Sequence, residues 1–156
     1  MDNGETQETI FLRSYKDAIM HFNMLERNMA YCLRAASERT GADGDIARIL
    51  EFPYDKKLRK IKALISKSGF DAQYESFLAL AEQCRLFRNR LVHGHWEFVE
   101  FLEAPIRYHV PTPFEENGNM TLERFAAQVV IFMDANSLFS KLRISNPIEW
   151  GGANTD

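Results

Sequence analysis

Apolar residues recur every three or four positions along most of this chain, a period that predicts amphipathic helices. The first stripe runs from Leu12 to Ala36 without an intervening Gly or Pro, and it predicts a long helix over 9–39. Further stripes predict a short helical turn and three more helices. They cover about 46–50, 53–69, 71–94 and 121–146.

The segment that follows Gly94 does not keep the helical period. Ile106, Tyr108 and Val110 alternate with polar residues, and this period of two is typical of a strand. Together with the aromatic stretch that begins at Trp96, it predicts a small β-hairpin near 96–110. The prolines and glycine between that hairpin and the last helix predict a loop.

These elements predict an all-α fold, an up-down bundle of four to five helices with a hairpin insert. A chain of 156 residues, 46% of them hydrophobic, suffices for one core. We therefore expect one domain over 9–146, with disordered tails at 1–8 and 147–156. The polar start of the chain and the lack of a long apolar run favour a cytoplasmic protein that does not enter the membrane. Cys32 and Cys84 lie within helical stripes and are expected to be reduced, buried thiols.

Charge is distributed unevenly along the chain. The whole sequence has a formal charge of −3, which excludes a protein that holds nucleic acid by bulk positive charge. Nine basic and three acidic residues fall between Lys56 and His93, so this segment carries +6 and the remainder −9. Such a segment is either a solvated helix face or a surface for phosphate groups. The nine basic residues are Lys56, Lys57, Arg59, Lys60, Lys62, Lys67, Arg85, Arg88 and Arg90.

The end of the third long helix combines three residue types that suit phosphate chemistry. Asn89 and His93 are four residues apart and share one helix face, whereas Arg88 and His93 are about 140° apart around the axis. Arg88 and His93 therefore diverge on a continuous helix. They meet only if Gly94 breaks the helix and turns His93, or if a second copy of the chain completes the site.

Those residue types supply the parts for RNA cleavage without a metal ion. Arg offers a permanently charged planar fork that matches phosphate, and His exchanges protons near neutral pH. The amide of Asn orients the His or holds a phosphate oxygen. The plainer interpretation is that Arg88 and His93 cap a helix end or form surface ion pairs. The spacing of His93, His95, Glu97, Glu100 and Glu103 matches no common metal motif, and we expect no metal site or cofactor.

The segment Arg88-Asn89-Arg90-Leu91-Val92-His93 resembles the signature of the HEPN superfamily, the higher eukaryotes and prokaryotes nucleotide-binding domains. That signature is an Arg, four to six residues and a His, often with a polar residue after the Arg. The resemblance implies a homodimeric, metal-independent endoribonuclease in which both copies of the motif line one cleft. Many members act as toxins of toxin–antitoxin pairs or in antiviral defence, so an antitoxin is an implied protein partner.

The resemblance also implies residue roles. Arg88 would contact the scissile phosphate, Asn89 would position it, and His93 would transfer protons. We expect the other basic residues to guide RNA, namely Arg85, Arg90, His95, Lys56, Lys57, Arg59 and Lys60. The alternative is a non-catalytic module of the same fold, either a dimeric adaptor or an RNA- or nucleotide-binding protein, because the family includes members that bind without cleaving.

Overall fold

The fold is that of a computed structural model, which describes residues 4–39 and 46–148. Within these ranges the chain forms five helices and three strands. The helices are α1 (Gln7–Arg39), α2 (Ile46–Leu50), α3 (Tyr54–Lys67), α4 (Asp71–His93) and α5 (Leu122–Ser145). The strands are β1 (His95–Phe98), β2 (Ile106–Val110) and β3 (Glu116–Met120). The prediction of a mainly helical chain with a small β insert is confirmed.

Threonine side chains begin the first and the last helix. Thr121 is the N-cap of α5, and its Oγ1 accepts a hydrogen bond from the Arg124 amide at 3.1 Å. The Thr6 hydroxyl accepts in the same way from the Thr9 amide at 3.2 Å. Because this cap lies upstream of the predicted start, α1 begins within the predicted tail 1–8, whose residues 1–3 lie outside the described ranges.

The first and the last helix, α1 and α5, pack on each other and run in the same direction. Phe11 near the start of α1 contacts Phe125 near the start of α5, with ring centroids 5.4 Å apart. Further along both helices, Asn28 Nδ2 donates to Asn136 Oδ1 at 2.5 Å. Residues near the start of α1 thus contact the start of α5, and later residues of α1 contact later residues of α5, so the two helices are parallel.

Helix α4 runs against both of them. Its first turn meets the end of α5, where the Tyr74 hydroxyl donates to the Asn146 carbonyl at 2.7 Å. Its last turn meets the start of α1, where the Tyr15 hydroxyl donates to the Leu91 carbonyl at 3.4 Å. In chain order the three long helices therefore alternate in direction, and the last turn of α4 lies beside the first half of α1.

The insert is a three-stranded antiparallel sheet in the order β1-β2-β3. The predicted hairpin is present as β1 and β2, whereas the loop predicted from Pro111, Pro113 and Gly118 is a connection only before Glu116, since Gly118 lies within strand β3. This segment, Glu-Asn-Gly-Asn-Met, lacks the β-branched and aromatic residues that signal strands, and its pairing with β2 decides its conformation. Gly118 lies opposite Tyr108, and a Cβ at position 118 would come within 2.6 Å of the Tyr108 hydroxyl. The glycine therefore lets this ring lie flat across β3.

The ordered chain continues past α5. Ile148 is fully buried in the core, so the predicted disordered tail 147–156 does not begin at Pro147. The remainder of that tail, 149–156, lies outside the described residues. None of the helices in the described ranges is both long and apolar enough to span a lipid bilayer.

Candidate functional site at the end of α4

The segment singled out by the sequence forms the last turns of α4. The helix continues to His93, and Gly94 follows in an extended conformation with φ −85° and ψ 149°. His93 therefore keeps its helical position, and the break at Gly94 does not turn it toward Arg88. Of the two ways in which Arg88 and His93 were expected to meet, only a second copy of the chain is left.

The carbonyl of Arg90 ties the sheet to this helix end. It accepts hydrogen bonds from the Gly94 amide and from Trp96 Nε1, both at 2.9 Å. A Cβ at position 94 would lie 2.3 Å from the same oxygen, so a larger residue cannot occupy this position without displacing the turn. Trp96 also stacks on Tyr108 at 5.0 Å, which makes it a packing residue between helix and sheet.

Arg88 lies on the side of α4 that faces α1. Its guanidinium carbon is 5.4 Å from the ring centroid of Phe22, and its Nη1 donates a long hydrogen bond of 3.5 Å to Asn89 Oδ1. Its Nε is buried and has no hydrogen-bond partner among the described residues. A buried donor without a partner is costly, and a charged one binds an incoming anion strongly. Arg88 thus combines a permanent charge with an unused donor.

His93 lies on a different side of α4. Its exposed imidazole stacks on Phe114, with ring centroids 5.1 Å apart and planes inclined by 24°. Phe114 belongs to the loop between β2 and β3, a segment whose role the sequence did not indicate. Within one chain, Arg88 and His93 therefore contact different neighbours, as their spacing predicts.

Asn89 lies between these two sides. Its side chain meets Arg88, and it also lines a cavity of about 170 Å³ between α4 and the sheet. The cavity is lined by Arg85, Leu86, Asn89, Arg90, Val110, Phe114 and Glu116. The motif thus borders a small pocket whose far wall comes from the β2–β3 loop.

Arg90 is held in a closed polar network. Its Nε donates to Glu116 Oε2 at 3.0 Å, and its Nη2 lies 2.8 Å from Glu116 Oε1. Tyr108 donates to the same carboxylate at 3.2 Å. The hydrogen bond from Arg90 lowers the pKa of Glu116, while burial raises the pKa of Tyr108. Since Arg90 belongs to α4 and Glu116 to β3, this ion pair holds the sheet on the helix. Glu116 also neutralises the charge of Arg90.

Arg85 is likewise paired within the chain. Its Nε and Nη2 both donate to Glu82 Oε1, at 2.8 and 2.6 Å, and Asp55 of α3 lies 3.9 Å from Nε. The hydrogen bond from Arg85 lowers the pKa of the Glu82 carboxyl. Its guanidinium borders the cavity with much of its charge already balanced.

The basic run on α3 divides into a buried and an exposed part. Lys57 is 2% exposed, donates to the Leu50 carbonyl at 3.1 Å and lies 3.5 Å from the Glu26 carboxylate. The prediction that Lys57 contributes to an RNA-binding surface was therefore wrong, since its ammonium group is buried and paired with Glu26 inside the bundle. It precedes the buried Ile61 by four residues, and this helical spacing was the signal of its burial.

The other predicted basic residues stay at or near the surface. Lys56 and Lys60 place their ammonium groups 3.8 and 5.7 Å from the centre of the Phe52 ring. Arg59 is exposed. On the sheet, His95 is exposed and its ring stacks with that of His109 at 6.4 Å.

Two further features bear on the chemistry of the chain. Cys32 and Cys84 are buried free thiols, as predicted, and burial raises their pKa values to about 11 and about 12. Across the described ranges, no three His, Cys, Asp or Glu side chains come together as a group able to hold a metal ion.

Comparison with known proteins adds nothing to the site: no family model, curated protein or solved structure matches the chain.

Proposed function

We propose that the chain is a metal-independent endoribonuclease of the HEPN type, acting as a homodimer in which Arg88 of one copy works with His93 of the other. One observation carries the proposal: the Arg of the motif keeps a buried guanidinium donor without a partner, while the His of the motif is exposed. A purely structural Arg at a helix end would have its donors paired, as those of Arg90 are.

The reaction uses proton transfer and charge stabilisation. A base removes the proton from a ribose 2′-hydroxyl, and the oxygen attacks the adjacent phosphorus. The bond from phosphorus to the 5′-oxygen breaks, and an acid protonates that oxygen, which leaves a 2′,3′-cyclic phosphate and a 5′-hydroxyl. Arg88 stabilises the negative charge on the phosphorane, and His93 transfers a proton.

The need for a second copy follows from the divergence of the two side chains on an unbroken helix. A two-fold axis beside α4 would bring residue 88 of one chain toward residue 93 of the other, since such an interface repeats each contact reciprocally. Exposed apolar side chains next to the motif support association along this face. Leu86 and Val92 are 49% and 47% exposed.

The test is cleavage of a single-stranded RNA in the presence of a chelator, with product ends identified by mass spectrometry. We expect cyclic phosphate products from the native chain and at least a ~100-fold loss in His93→Ala, the lower range for removal of a catalytic acid or base. His109→Ala is the matched control because it removes another exposed imidazole from the sheet. Equal cleavage by the native chain and His93→Ala would refute the proposal.

Complementation tests the shared site. Arg88→Ala and His93→Ala are each expected to be inactive, whereas co-expressed mixtures should recover about a quarter of native activity. Half of the dimers are then mixed, and each keeps one of two sites intact. Active single variants, or a mixture that stays inactive while mixed dimers form, would contradict a site built from two chains.

A second candidate is a module that binds RNA or nucleotides without cutting. The observation that favours it is the separation of Arg88 and His93 within a single chain, since a monomer would lack a complete site. RNA binding by a chain that sediments as a monomer and never cleaves would support this candidate.

A further inference from the structure

We infer that the cavity between α4 and the β2–β3 loop is a subsite for one unpaired nucleobase, located beside the bond that is cut. This inference rests on the proposed function, because it assigns the cavity to the same RNA. Asn89 and Arg90 of the motif line one side of the cavity, and the opposite side comes from the sheet and its β2–β3 loop through Val110, Phe114 and Glu116.

The size of the cavity fits a single ring system. About 170 Å³ is well below the ~300–1,000 Å³ of pockets that enclose a whole drug-sized ligand. A flat heterocycle fills such a space, while the sugar and phosphate to which it is joined stay outside. A base enters only when it is free of its own stack, which restricts the ligand to single-stranded RNA.

The lining supplies an aromatic plate and apolar walls. Phe114 is 50% exposed and lines the cavity, so part of its ring is accessible to a ligand. Val110 and Leu86 complete the apolar part. Bases stack on such aromatic side chains irrespective of their identity.

The charges of the lining favour an uncharged ligand. The guanidinium of Arg90 is neutralised by Glu116, and that of Arg85 is paired with Glu82. A phosphate would be repelled by the Glu116 carboxylate, which lines the cavity. A neutral base instead gains hydrogen bonds from the amide of Asn89 and from the donors and acceptors of the two ion pairs. The phosphate is left to Arg88, whose donor is unused.

The position of the cavity links the base to the reacting bond. Phe114 touches both the cavity and the imidazole of His93, and Asn89 touches both the cavity and Arg88. A base held here would fix its own ribose next to the groups that act on the phosphate. Phe114 is thus a positioning residue, and it would make the cleavage rate depend on the base beside the cut.

The experiment compares two probes with the full-length chain by NMR or calorimetric titration, guanosine 5′-monophosphate and ribose 5-phosphate. They share the sugar and phosphate and differ in the base. We expect the nucleotide to bind about 5- to 150-fold more tightly, the range for stacking one base on an aromatic side chain. Phe114→Ala should remove this difference and Phe114→Trp should retain it.

Phe101→Ala is the matched control, since Phe101 is 95% exposed and lies in the other loop of the sheet. Equal binding of the two probes, or equal losses in Phe101→Ala and Phe114→Ala, would overturn the inference. Cleavage of RNA by a chain that binds both probes equally would leave the proposed function standing and remove the subsite. Base-dependent binding through Phe114 by a chain that never cleaves would keep the subsite and remove the nuclease.

Discussion

Arg88 and Arg90 are two residues apart on α4, and their surroundings differ. Arg90 faces the sheet, where it donates to the Glu116 carboxylate of β3 and its guanidinium carbon lies 5.7 Å from the centre of the Tyr108 ring of β2. Arg88 faces α1, where it lies over the ring of Phe22 and keeps a buried donor without a partner in the described chain. Two arginines of the same helix therefore differ: one is paired with a carboxylate of the sheet, and the other keeps a buried donor without a partner among the described residues.

The largest expected effect is the difference in RNA cleavage between Arg88→Ala and Arg90→Ala. Under the proposed function, Arg88→Ala should lower kcat/KM for RNA cleavage by about 100-fold or more, because it removes the charge that is proposed to stabilise the phosphorane. Its cost in folding free energy should be about 0.5–1 kcal/mol, the value of one cation–π contact. Arg90→Ala should instead cost about 1–2 kcal/mol, since it removes hydrogen bonds to Glu116.

Cleavage kinetics and urea unfolding of both variants measure these effects. An Arg88→Ala protein that cleaves at the native rate would remove the distinction between the two arginines.

The second comparison is between a buried and an exposed lysine of α3. Lys57→Ala should lower the free energy of unfolding by about 2–3 kcal/mol, because Glu26 and the Leu50 carbonyl then lose their cation. Lys60→Ala should leave unfolding almost unchanged and reduce the salt dependence of RNA binding by about one phosphate contact. Urea unfolding and binding at a series of salt concentrations distinguish the two. The reverse pattern would mean that Lys57 is available to ligands.

A third test disturbs the packing of the sheet on α4 without removing a charged side chain. Gly118→Ala places a methyl group within 2.6–2.8 Å of the Tyr108 side chain and should cost about 1–3 kcal/mol. Tyr108 would then shift from Glu116 and Trp96. Thermal unfolding against the exposed control Glu115→Ala measures the loss. Equal stability of the two variants would show that the tyrosine does not depend on the glycine.

The smallest expected effect concerns pH. Since Arg90 lowers the pKa of Glu116 in the folded chain, the folded state favours the ionised carboxylate. The resulting stability, about 0.5–1 kcal/mol for a partly exposed pair, is complete above the ordinary carboxyl pKa near 4.5. It is lost as the pH falls through the lowered value.

Glu116→Gln is the test of this linkage. The difference in unfolding free energy between the native chain and this variant should therefore shrink below about pH 4.5. A difference that stays constant from pH 7 to pH 3 would contradict the linkage.

Local patterns in the sequence sufficed to locate the helices. The stripes at three- and four-residue spacing located α1, α3, α4 and α5, and Thr121 marked a helix start, because these signals act within one turn of chain. The third strand could not be predicted, since its residues form a strand only when β2 pairs with them. Glu116 and Phe114 were missed for the same reason, because their partners on α4, Arg90 and His93, are more than 20 residues away in sequence.

The junction at the Arg90 carbonyl gives the protein an internal optical reporter. The indole of Trp96 is hydrogen-bonded to that carbonyl and stacked on Tyr108, so its fluorescence depends on the sheet staying docked. With Trp150 replaced by Phe, Trp96 would be the single emitter, since the chain has two tryptophans. Its emission would then report, without a label, whether the sheet stays docked on α4 under changed conditions.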